Sequence, residues 1–133
     1  MWYIHYTKHC FERTLHRSMM YKWEVPAMTA VIYARYSTDS QREESIEGQI
    51  RECTAYAEKN GFTVVKHYID RAISAKTDNR PQFQQMIKDS ERGIFDVIIV
   101  WKLDRFARNR YDSARYKTQL KRNGVKLVSA TEV

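Results

Sequence analysis

The sequence predicts a three-layer α/β domain around a mostly parallel sheet of four or more strands. Three observations lead there. Strand-length runs that are apolar or β-branched, Ala30–Tyr36, Thr63–Ile69, Phe95–Trp101 and Val125–Ala130, alternate with segments of helical pattern. Glycines stand where those helices should stop. The Phe95–Trp101 run is apolar on both sides, as a strand covered by helices on both faces must be. Strands that alternate with helices pair in parallel through right-handed crossovers.

Each element has a local reason. Ala30–Tyr36 ends in Arg35, then meets the polar turn Ser37-Thr38-Asp39-Ser40-Gln41. Ser45–Asn60 reads as a helix with Ile46, Ile50, Cys53 and Ala57 on one side. Glu43 and Glu44 near its start suit the helix dipole, and Gly61 follows its end. Thr63–Ile69 is β-branched and reads as the second strand. Asp70 to Asn79 reads as a polar loop. Pro81 sits where a first helical residue belongs, and Pro81–Arg92 is a helix closed by Gly93. Phe95–Trp101 is the third strand, and Tyr111–Asn123 a helix stopped by Gly124. Val125–Ala130 is the fourth strand.

The totals limit the classes of function. With 133 residues, 43% of them hydrophobic, the chain suits one domain and one core. The net charge of +7 favours an anionic partner, nucleic acid first. Cys10 and Cys53 form no CxxC pattern, so neither a zinc site nor a disulfide framework is indicated. A reducing cytosol follows as the expected compartment. No apolar run is long enough to span a bilayer. Residues 1–27 differ from the rest and hold three of the four histidines. Phe11, Leu15, Met19 and Trp23 recur every fourth residue there, which fits one side of an added helix. The other reading, and the preferred one, is an extended start ahead of Met28, with the domain proper at 28–133. His5, His9 and Cys10 lack a further pair of ligands for a metal.

The chemistry gathers at strand ends. In an open α/β sheet, sites form at the carboxyl ends of strands. Ser37 stands at the end of the first strand, and Arg35 two residues earlier points to the same face. An arginine on a buried strand is costly unless it meets an anion. Arg80 is forced into an extended conformation by Pro81, at the mouth of a helix. Arg105 and Arg108 follow the third strand, with Asp104 beside them to orient one or to move a proton. No anchor for the loop after Leu103 is legible, so Arg108 is the member expected to lie furthest out of place. A hydroxyl among arginines reads as phosphate chemistry. G-x-S-x-G, GxGxxG and a Walker lysine loop are all absent, against an esterase elbow or ordinary nucleotide binding.

Taken together, Y-A-R-Y-S-T-D-S-Q at 33–41, S-I-E-G-Q at 45–49, N-R-P at 79–81 and K-L-D-R-F-A-R at 102–108 resemble the catalytic domain of the serine recombinases. This is the resolvase and invertase family. The Ser37-to-Gln49 spacing and Val128-Ser129-Ala130-Thr131-Glu132 are most similar to its large, integrase-type branch. The resemblance covers Thr29 to Glu132. It implies that Ser37 attacks a phosphodiester of double-stranded DNA, giving a 5′-phosphoserine link and a free 3′-hydroxyl. It implies that Arg35, Arg80, Arg105 and Arg108 hold the scissile phosphate, that Gln41 and Gln49 position the site, and that Asp104 is the acidic member. Ser74 matches a small hydroxyl residue of the loop after the second strand. No metal and no nucleotide cofactor are implied. Full-length relatives are expected to act as homodimers that join in a synaptic homotetramer. They continue into a long helix and a DNA-binding region beyond the point where this chain stops, so the isolated chain is expected to be inactive. Two other readings fit the residues. One is an inert remnant serving as a protein–protein module, which the presence of all four arginines disfavours. The other is an α/β phosphohydrolase using Ser37 or Asp104, which a metal requirement would favour.

Overall fold

The computed structural model describes residues 27–36, 45–71, 80–106 and 110–132. In chain order these form β1 (Met28–Tyr36), α1 (Ile46–Lys59), β2 (Phe62–Arg71), α2 (Pro81–Asp89), β3 (Val97–Val100), α3 (Arg110–Arg122) and β4 (Lys126–Ser129). Short 3-10 turns at Ser90–Arg92 and Leu103–Arg105 complete the described elements. The sheet order is β2-β1-β3-β4, and every pairing is parallel. The predicted alternation of strands and helices therefore holds. The leader, with Phe11, Leu15, Met19, Trp23, His5, His9 and Cys10, lies outside the described residues, as do Glu43 and Glu44.

That order explains the layers. From β1 the chain moves to one edge of the sheet. From β2 it crosses back over β1 to β3, and then continues to β4. Right-handed crossovers put helices on opposite faces when the direction reverses. Accordingly, Ala30, Ile32, Val97 and Ile99 pack with Cys53 and Ala57 of α1. Val31, Tyr33, Ile98 and Val100 pack with Phe83, Met86 and Ile87 of α2 and with Tyr116 and Leu120 of α3. β1 and β3 are the inner strands, and all four residues of β3 are buried. Their carboxyl ends lie side by side where the strand order reverses, the place where open α/β sheets build sites.

An irregularity in β2 turns its outer half around. The register steps from Ala30↔Val64 to Val31↔Lys66, leaving Val65 as an extra residue. One inserted residue moves every later side chain to the other face. Phe62 and Val64 therefore pack on the α1 side, whereas Tyr68 belongs to the α2 side. The bulge also carries Asp70 into the interior. Asp70 is not part of a polar loop, as its polarity suggests. It lies in β2, paired with Arg35 of β1, and is 4% exposed.

Helix ends follow local chemistry. The Ser45 hydroxyl accepts the Gly48 N–H at 3.1 Å and caps α1. α2 starts at Pro81 as predicted, but its N-cap Arg80 offers no side-chain acceptor. Asp70 supplies the acceptors instead, taking the N–H groups of Gln82 at 3.0 Å and Phe83 at 2.9 Å. α2 also ends earlier than the sequence suggests, at Asp89. The Ser90 hydroxyl donates to the Ile87 carbonyl, and a 3-10 turn carries the chain to Gly93. At the end of α3 the N–H of Val125 reaches the Leu120 carbonyl, and that of Gly124 reaches Lys121. This closure needs a left-handed residue, and Gly124 has φ 76°. β3 and β4 are shorter than their apolar runs by one or two residues at each end.

Candidate active site

The site begins where sheet pairing stops. β1 and β3 last pair at Tyr33↔Val100, so the strand ends beyond need other partners. Gln49 of α1 provides one. Its side-chain amide donates to the Arg35 carbonyl at 3.0 Å, and its Oε1 accepts the Arg35 N–H at 3.3 Å. A fully buried side chain thus completes the hydrogen bonding of a strand. It fixes the backbone two residues before Ser37. Gln49 thereby holds the carboxyl end of β1.

Three arginines converge beside this strand end. Arg35 shares the parity of Val31 and Tyr33 and therefore faces the α2 side. Its guanidinium donates to the Asp104 carbonyl at 2.9 Å. Arg80, with φ −128° and ψ 73°, is extended rather than helical, as the following proline requires. It is 4% exposed, donates to the Phe106 carbonyl at 2.6 Å, and stacks on Phe83 with its guanidinium carbon 3.9 Å from the ring centre. Arg105 is likewise 4% exposed. Its NH1 lies 3.2 Å from an Asp104 carboxylate oxygen, and its guanidinium carbon 5.4 Å from the Trp101 ring centre.

The electrostatics favour an anion. Burial, and then the positive charge of Arg35, push the Arg105 guanidinium down from its ordinary value. Arginine stays charged in proteins, so the strain is relieved by negative charge and not by loss of a proton. The carboxylate of Asp104, 59% exposed and screened by solvent, supplies some of this. Below the arginines, the Tyr33 hydroxyl donates to Asp70 at 2.9 Å. Burial first, and then the Asp70 carboxylate, raise the Tyr33 phenol, so it stays protonated and keeps donating. The buried Cys53 is no competing nucleophile. Burial, then Glu52, push its thiol up to about 12.

Of the predicted site residues, Arg35, Gln49, Arg80, Asp104 and Arg105 are described, and they meet at the carboxyl ends of β1 and β3. Ser37, Gln41, Ser74 and Arg108 lie outside the described residues. The turn after β3 is anchored at its first residue, where Glu132 accepts the Leu103 N–H at 2.7 Å; the expectation for Arg108 falls outside the described residues. Sequence reasoning missed Tyr33 and Asp70, which brace the floor of the cluster. A signal was present. A helix opening Arg-Pro lacks a capping side chain, so its free N–H groups call for an acceptor from elsewhere.

An arginine cluster thus lies at the switch point of a parallel α/β sheet. The chain belongs to the resolvase N-terminal domain family, whose model ("Resolvase, N terminal domain") matches residues 30–133. It is the catalytic domain of a serine recombinase, an enzyme class that cuts and rejoins DNA. It is similar to the N-terminal catalytic domain of TP901-1 integrase, with 35% identity and a TM-score of 0.67, covering 77% of this chain and 76% of that one. A resolvase family site-specific recombinase from Streptococcus pneumoniae gives 33% identity and a TM-score of 0.68, over 77% of this chain and 72% of that one. The catalytic domain of ISC1926 TnpA, an IS607-like serine recombinase, gives 29% identity and 0.66, over 80% and 72%. A curated relative, "Uncharacterized immunity region protein 3" of Bacillus phage phi105, is 40% identical over 65 residues, 47% of this chain and 79% of its own. Among the described residues no helix is long and apolar enough to cross a membrane.

Proposed function

We propose that Ser37 is the nucleophile of this domain and that Arg35, Arg80, Arg105 and Arg108 receive the scissile DNA phosphate. The observation that carries the reading is the convergence of Arg35, Arg80 and Arg105 on the turn after β3, with Arg35 two residues before Ser37 in the sequence. The Ser37 oxygen attacks phosphorus, and the 3′ oxygen of the neighbouring nucleotide leaves as a hydroxyl. The enzyme is then linked to the 5′ phosphate. Planar guanidiniums match the oxygens of the five-coordinate transition state, where charge builds. Because the phosphoserine bond retains the energy of the phosphodiester, a 3′-hydroxyl can reverse the step with no nucleotide consumed. Asp104 orients Arg105, Gln49 holds the strand end, and Gln41 is assigned a positioning role. The partner is double-stranded DNA in the bacterial cytoplasm. Recombination is carried out by dimers that meet as a synaptic tetramer.

The test joins this domain to a DNA-binding region and follows protein linked to a 5′ DNA end on a denaturing gel. Ser37→Ala abolishes the linked species while site binding stays nearly unchanged, since binding rests on phosphate and groove contacts elsewhere. Linked DNA persisting in Ser37→Ala would make another residue the nucleophile.

Residues 1–27 stand apart from this catalytic unit in the same reading. A chain that begins at Met28 is expected to melt at the same temperature as the whole. Burial of even one side chain such as Trp23 against the domain contributes about 1.5–3 kcal/mol, so a clear drop in melting temperature would make the leader part of the core.

A further inference from the structure

The turn that carries Asp104 and Arg105 is held by residues outside the arginine cluster. Beyond its last sheet pairing, Val100↔Ser129, β3 leaves the sheet with Trp101. The Trp101 carbonyl accepts the Thr131 hydroxyl at 2.7 Å and lies 3.2 Å from the Ser129 hydroxyl. That hydroxyl is also 3.1 Å from Glu132 Oε1 and accepts the Glu132 N–H at 3.2 Å. Glu132 Oε1 accepts the Leu103 N–H at 2.7 Å. So Ser129, the last residue of β4, and Thr131 grip the chain at Trp101, and Glu132 grips it again at Leu103.

The grip meets a local need. Leu103 opens the 3-10 turn Leu103–Arg105, and its N-cap Lys102 contributes no side-chain acceptor. A carboxylate fills that place with a charge-assisted bond. The turn in turn aims the arginines. Its Asp104 carbonyl receives Arg35, and the Phe106 carbonyl that closes it receives Arg80. Glu132 and Leu103 are both exposed, so their bond adds little to the stability of the fold. Its effect falls on where the turn sits.

We infer that Glu132, assisted by Ser129 and Thr131, is a positioning residue for the arginine cluster, setting the Leu103–Arg105 turn and through it the guanidiniums of Arg35, Arg80 and Arg105. Glu132 touches no substrate. The inference rests on the phosphate-site reading above, and its test separates the two.

The probe is inorganic phosphate, titrated into the 133-residue chain and followed by NMR through the side-chain Nε–H signals of Arg35, Arg80 and Arg105. These signals respond in the parent chain. Glu132→Ala needs about tenfold more phosphate for the same response, because small misplacements of a binding group are costly. Glu132→Gln, whose amide oxygen still accepts the Leu103 N–H, stays within about twofold of the parent. Glu132→Asp, one methylene short of Leu103, behaves like the alanine chain. Melting temperatures change little in all three. Equal affinity in the parent and Glu132→Ala overturns the positioning role and leaves the phosphate site standing. Arginine signals that ignore phosphate in the parent overturn the phosphate reading, and the inference with it. If the alanine chain fails to fold, the Gln and Asp chains decide, and equal affinity between them overturns the role.

Discussion

Asp70→Ala lowers the stability of the domain by about 3 kcal/mol, the sum of two losses. The buried Tyr33 hydroxyl loses its acceptor, and the N–H groups of Gln82 and Phe83 lose the cap of α2. The N-cap Arg80 makes no side-chain capping bond that could replace it. For a domain of this size the loss, a large share of ordinary domain stability, lowers the melting temperature by about 10 °C. Asp70→Asn keeps one carbonyl oxygen and loses the negative charge at a helix start, so it falls between the two. Thermal unfolding by circular dichroism measures both. An unchanged melting temperature in Asp70→Ala would mean that the carboxylate does not brace the site.

Arg35→Lys reduces the rate of strand cleavage by about 10²–10³-fold, with folding and site binding preserved. Lysine keeps the charge. It loses the planar fork, which donates to the Asp104 carbonyl and whose shape matches a pair of phosphate oxygens. Single-turnover cleavage, measured with the domain joined to a DNA-binding region, separates this step from binding. Near-normal cleavage by Arg35→Lys would show that Arg35 serves the turn alone and not the phosphate.

Much of the fold was legible because its signals are local. Ser45 caps α1, Pro81 opens α2, and Gly124 closes α3 where a left-handed residue is needed. The two inner strands announce themselves by apolar runs covered on both faces. Of the site, Arg35, Arg80 and Arg105 could be found because an arginine beside buried strands needs a compensating partner. What could not be read depends on distant contacts. Nothing in Thr63–Ile69 marks the bulge at Val65, and without it Asp70 looks like the start of a loop. The hold of Glu132 on Leu103 joins residues 29 apart in sequence. Its geometry exists only once β3 and β4 lie side by side.

The central claim is that the hydroxyl at position 37 takes the DNA phosphate in a site built by the ends of β1 and β3. Mass spectrometry of the protein–DNA adduct tests it most directly. The adduct is trapped on a nicked site, digested with nuclease and protease, and the peptide carrying the nucleotide is sequenced. The account predicts a 5′-phosphodiester on Ser37. A modified Thr38, Ser40 or Ser74, or a 3′ linkage at any residue, would contradict it.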